Sequence, residues 1–137
     1  MTAPAVQVRS AMITAMRASA LLQATAMGAT PRVYNRIAPE TAFPYIGVTA
    51  TLRPWDTTSD RGAELAVELR LEGEYEGDLQ GETIFDAVRR LFRDWAPQVL
   101  ANHRLVNLEC QFEDVRSGED GKRYFGLQRW RAVTEET

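Results

Sequence analysis

Hydrophobic and polar positions divide the chain into stretches of two periods. From Val8 to Met27 the residues Val8, Met12, Ala15, Met16, Ser19, Leu22 and Ala26 recur every three or four positions among good helix formers. This predicts one amphipathic helix over 8–27, stopped by Gly28 and Pro31. A short edge strand fits 32–37, where Pro39 and Pro44 bound the pairing. Residues 45–52 read as a strand with Ile46, Val48, Ala50 and Leu52 inward. Residues 63–72 alternate strictly, Leu65, Val67, Leu69 and Leu71 against Glu64, Glu68, Arg70 and Glu72, which predicts one packed face and one wet face. Ile84, Ala87, Val88, Leu91, Phe92 and Trp95 form a second helical stripe, with Thr83 and Asp86 placed as its N-terminal cap and Pro97 after its end. Val106, Leu108, Cys110 and Phe112 are expected inward on a strand over 104–115. The final strand, 122–134, has mixed parity, which predicts a bulge or two buried faces.

The expected order is α-β-β-β-α-β-β. It describes an α+β fold, a mostly antiparallel sheet of four to five strands with two helices on one face. The 137 residues fit one domain, 1–137, with 1–7 and 135–137 loose. Met1–Leu22 is Ala- and Met-rich, but Arg17, Ser19 and Gln23 interrupt its apolar run, so it reads as part of the fold rather than a targeting peptide.

Charge and composition then narrow the chemistry. Apolar residues make up 45% and charged residues 26%, and the net charge is −3 with acids and bases interspersed. There is no basic excess to neutralise phosphates, so sequence-independent nucleic-acid binding has little support. No run is long and apolar enough for a membrane span. A single cysteine, Cys110, excludes an internal disulfide and points to a reducing compartment. It reads as a small core hydrophobe. His103, the one histidine, has no evident catalytic partner, and one His with one Cys makes zinc a poor fit. Phosphate-binding, dinucleotide and nucleophile-elbow motifs are absent.

The acids Glu72, Glu74, Glu76 and Asp78, interleaved with Gly73 and Gly77, lack calcium-loop spacing and read as a solvated or partner-facing run. Glu113, Asp114, Glu119 and Asp120 read likewise. Trp95 belongs to the core and Trp130 to core or interface. Trp55 stands in the polar stretch 53–62, well beyond ordinary hairpin length, where it either meets a partner or folds back on its own sheet. No catalytic, cofactor-binding or metal-binding residues are expected.

Two segments carry a family likeness. One is Arg32-Val-Tyr-Asn-Arg-Ile-Ala-Pro39 followed by Phe43-Pro-Tyr45; the other is Phe125-Gly-Leu-Gln-Arg-Trp-Arg-Ala-Val-Thr134. With the long hairpin loop, the alternating strand and the Phe85–Leu91 helix between them, this order resembles the tail terminator or tail completion proteins of siphophages and gene transfer agents. The resemblance spans roughly Arg9 to Thr134. It implies a structural protein without catalysis: a hexameric ring at the head-proximal end of a tail tube. Such a ring ends tube polymerisation and joins the tail to the head connector or adaptor, in a virion or phage-like particle assembled in the bacterial cytoplasm. DNA would pass through its lumen without specific binding.

By the same resemblance, contact with the tail tube protein or a neighbouring copy falls to Arg53, Trp55, Asp56, Asp60 and Arg61, in a loop expected to order on assembly. Pro44 and Tyr45 are expected to be structural. Exposed sheet edges offer one route to a ring. An acidic lumen lined by Glu72, Glu74, Glu76 or Asp78 would suit passing DNA. A head–tail adaptor or another tail component is the neighbouring reading. A small-ligand-binding α+β domain is the alternative from another class.

Overall fold

The strictly alternating segment lies at the centre of the protein. In a computed structural model describing residues 3–53, 62–74, 77–119 and 121–137, with no side-chain description at 77 and 78, β3 (Gly62–Glu74) pairs along both edges. It is flanked by β2 (Tyr45–Arg53) and β6 (Arg123–Glu136). Beyond these lie β1 (Val33–Tyr34) on one side, and β5 (His103–Ser117) then β4 (Gln98–Val99) on the other. The six-stranded sheet runs β1-β2-β3-β6-β5-β4, and only the β1–β2 pair is parallel. The α+β architecture is as expected, but the sheet has six strands rather than four to five, because the chain adds β4 after Pro97.

All helices cover one face. α1 (Pro4–Arg17) lays Val8, Met12 and Met16 on β1 and β2, and α3 (Gly77–Phe92) lays Ile84, Phe85, Val88 and Phe92 on β5, β6 and β3. The strands answer with Ile46, Val48, Leu65, Val67, Leu69, Leu71, Tyr124, Trp130 and Ala132, all buried. Phe92 packs edge-on against Trp95 and Trp130, with centroids 5.0 and 5.6 Å apart. Such edge-to-face contacts favour aromatic pairs beyond their area burial.

Several expectations need correction. The first helix starts at Pro4 and stops at Arg17. Ser19 leaves helical geometry and its hydroxyl accepts from Leu22 N at 3.4 Å, capping a separate short α2 (Ala20–Gln23). Thr83 is no cap: α3 begins at Gly77, so Thr83 lies inside it, and its hydroxyl donates to Leu79 O at 2.8 Å. The edge strand predicted over 32–37 contracts to Val33–Tyr34.

The irregularity expected in the last strand sits in its partner. β6 alternates evenly between buried and outward positions, while β5 has register breaks between Leu105 and Asn107 and between Cys110 and Phe112. Each break rotates the following residues. Leu108 is buried, but Cys110 and Phe112 are exposed, contrary to the inward set expected from simple alternation. Leu52 is also exposed, although its cross-strand partner Leu65 is buried. Near the opposite end of the sheet, Tyr124 is threaded between two glycines. A Cβ on Gly73 would stand 2.1 Å from the phenol ring, and one on Gly81 would stand 2.8 Å from Val115 Cγ1 and 3.1 Å from the Tyr124 ring.

Candidate functional site

The sheet face opposite the helices is uncovered among the described residues, and its side chains follow from strand period. On β3 the outward positions include Glu64, Glu68, Arg70, Glu72 and Glu74; on β6 they include Arg123, Phe125, Leu127, Arg129 and Arg131. Antiparallel pairing sets acids beside arginines. Arg131 Nε donates to Glu64 Oε1 at 2.6 Å and its Nη1 lies 3.4 Å from Glu109 Oε1. Arg129 Nε reaches Glu68 Oε1 at 3.2 Å, with Arg70 Nη2 3.1 Å from the other oxygen. The Arg129 guanidinium also covers the Phe112 ring at 5.3 Å, and Arg123 covers Phe43 at 5.3 Å. The face is thus a lattice of paired charges with aromatic inserts.

The segment before β2 is built by one side chain. Arg32 donates from Nε to the carbonyls of Ala42 and Pro44 at 3.0 and 3.1 Å, and from Nη2 to that of Phe43 at 2.9 Å. This fixes Phe43 stacked on Tyr45, centroids 5.4 Å apart. Tyr45 Oη then donates to Glu72 Oε2 at 2.7 Å. Burial, then the hydrogen bond and negative charge of Glu72, push the Tyr45 phenol up to about 12. Tyr45 is therefore a neutral donor at physiological pH. A shallow concavity of about 230 Å³ lies on the far side of Glu72, lined by Arg70, Glu72, Asp114, Arg116, Phe125 and Leu127 among others. It is smaller than an ordinary ligand pocket.

The residues predicted to make contacts are placed as follows. Arg53 ends β2, exposed, with Nη1 4.0 Å from Glu64 Oε1. Trp55, Asp56, Asp60 and Arg61 lie outside the described residues, as does Glu76. Glu72 and Glu74 share the outward face of β3. Asp78 is the second residue of α3, and its side chain is likewise outside the description. The arginines of β6 went unnoticed in sequence. Arg123, Arg129 and Arg131 share one parity, and that signal matches the acids of the alternating strand.

On the helical side, Glu113 accepts from Arg89 and from Gln128 Nε2, and Arg89 also meets Asp86 at 3.1 Å. The Glu113 hydrogen bond, countered in part by burial, raises the Arg89 pKa. These contacts join α3 to β5. His103 is buried with Nδ1 3.1 Å from Asn102 Oδ1. Cys110 is exposed as a residue, but neighbouring atoms partly desolvate its thiol and raise its pKa, which favours the unreactive protonated form. No group of three His, Cys, Asp or Glu side chains is placed to hold a metal among the described residues.

Comparisons with known proteins agree with this architecture. A search of curated proteins finds no match. A chain from the solved virion of a native gene transfer agent particle superposes with a TM-score of 0.82, is 22% identical, and covers 98% of this chain and 99% of that one. At that identity the likeness is one of fold. The family model for tail completion protein gp17 matches residues 10–135, almost the whole sheet-and-helix unit. The chain belongs to the tail completion protein gp17 family.

Proposed function

We propose that this tail completion protein forms a hexameric ring at the head-proximal end of a phage-like tail. There it ends polymerisation of the tube and joins the tail to the head connector. The observation carrying this reading is the family match over 10–135, supported by the fold shared with a gene transfer agent virion chain. The uncovered sheet face fits a role in contact rather than chemistry, since its polar groups are paired with one another instead of converging on a point. The stretch following β2 is the tube or neighbour contact, through Arg53, Trp55, Asp56, Asp60 and Arg61. The acids from the end of β3 into α3, Glu72, Glu74, Glu76 and Asp78, line the lumen, so that DNA passes without being gripped. The working place of the protein is the tail of the particle, reached after assembly in the bacterial cytoplasm.

Light scattering with negative-stain imaging tests the ring. Closed rings, alone or on tube ends, are the expected result. A strict monomer at high concentration that ignores tube protein overturns it. A basic bore in an imaged ring would overturn the lumen assignment alone.

A further inference from the structure

The two outer edges of the sheet match each other. Among the described residues, β1 covers β2 only at Ile46 and Gly47, and β4 covers β5 only at Arg104 and Leu105. Register carries each rung across the sheet. Val48 lies level with Leu69, Gln128 and Glu113, and Arg53 lies level with Glu64, Val133 and Asn107. The uncovered stretch of β2, 48–53, and that of β5, 107–113, therefore occupy the same rungs on opposite sides. Three successive antiparallel pairings make β2 and β5 run in opposite directions. A β2 laid beside the β5 of another copy would continue the antiparallel alternation without interruption.

The backbone groups needed are in place. Ile46 N donates outward to Arg32 O at 2.9 Å. Backbone groups alternate sides along a strand, so Val48, Ala50 and Leu52 turn their N–H and C=O to the same outer edge. Residues 48–53 contain no proline, lysine or bulge, the usual devices that blunt an edge. Leu52 is 58% exposed and level with Leu108 across the sheet. On β5, Glu109, Cys110, Gln111 and Phe112 are all exposed.

We propose that β2 of one copy adds to β5 of the next along these stretches, so that the sheets run on head to tail around the ring. The proposal rests on the ring reading above and names its interface. The occupant is a second copy because one chain carries both halves, on matching rungs and in opposite directions. The contact joins two different patches, the type that closes by rotation.

The single cysteine provides a direct test. Cys110 and Ala50 share the rung Ala50–Val67–Trp130–Cys110. Directly opposed antiparallel residues stand about 4.5–5.5 Å apart at Cα, within disulfide reach. Oxidising Ala50→Cys in the assembled state should give a ladder of covalent multimers on a denaturing, non-reducing gel. Thr49→Cys, on the other face of β2, should give no more than the wild type. Ala50→Pro removes one outward N–H and leaves the β3 pairing intact; it should yield folded monomers with an unchanged circular dichroism spectrum. Rings without a ladder would overturn the edge contact and leave the ring standing. Wild-type dimers through Cys110 alone would indicate symmetric β5 pairing and also overturn it. No assembly at any concentration, with or without tube protein, overturns both.

Discussion

The two faces of the sheet come from the same strands and solve opposite problems. On the helical face Leu65, Val67, Leu69 and Leu71 are at most 1% exposed, and aromatic side chains from α3 and β6 close over them. On the other face the intervening residues of β3 and β6 form acid–arginine pairs that remain in solvent. Burial of apolar area scales with the area removed from water, whereas exposed ion pairs contribute little each. Stability should therefore reside on one face, leaving the other free to be shaped by contact.

The sharpest way to break this comparison is Phe92→Ala. Phe92 is fully buried and bridges Trp95 and Trp130. Removing a buried phenylalanine costs about 3–5 kcal/mol, combining lost transfer energy with the cavity left behind. The midpoint of urea unfolding should fall strongly at unchanged slope. A loss below about 1 kcal/mol would show that the helical layer does not hold the fold.

A second test uses two tyrosines, one from each face. Tyr124 is fully buried, and burial pushes its phenol up to about 12; its hydroxyl donates to Gln80 Oε1. Tyr45, on the open face, is also pushed to about 12, by burial and then by Glu72. Each value stands above that of the unfolded chain, near 10.0. Between these values the folded protein holds more protons than the unfolded one, so stability is full below about pH 10 and declines toward about pH 12. Tyr124→Phe and Tyr45→Phe should each flatten part of that decline. High salt should moderate the portion remaining in Tyr124→Phe, where the half-buried Glu72 carboxylate contributes, and leave that in Tyr45→Phe unchanged. Equal salt responses would erase the distinction between the faces.

How much of this was legible in sequence depended on whether the local period survived packing. The 63–72 alternation became the central strand, because nothing interrupts its pleat. The 84–95 stripe became α3 as far as Phe92, although the helix starts earlier than expected and Trp95 lies beyond its end. Gly81, a poor helix former, lies inside the helix where Val115 and Tyr124 leave no room for a Cβ. Propensity could not reveal that tertiary reason. The inward set of β5 failed in two ways: Phe112, past the second register break, pairs with outward Arg129, whereas Cys110 keeps the parity of Leu108 and the rung of Trp130 but is exposed. The paired charges of the open face were written at one parity in two distant segments. Only the strand order, which placed β6 rather than β5 beside β3, brought them together.

The smallest effect is the most informative about that open face. Arg129 is about half exposed, its Nε 3.2 Å from Glu68 and its guanidinium over Phe112. An exposed pair of this kind is worth roughly 0.2–1 kcal/mol, and the cation–π contact adds a similar amount. Glu68 keeps Arg70 at 3.1 Å after substitution, so no carboxylate is stranded. Arg129→Ala should therefore shift the unfolding midpoint only slightly. The same variant, mixed with tube protein, should differ from wild type in joining far more than in stability if the open face meets a partner. Unchanged joining would remove Arg129 from the contact surface. A stability loss approaching that of Phe92→Ala would mean that the charged lattice holds the sheet together, and the division of labour between the two faces would be wrong.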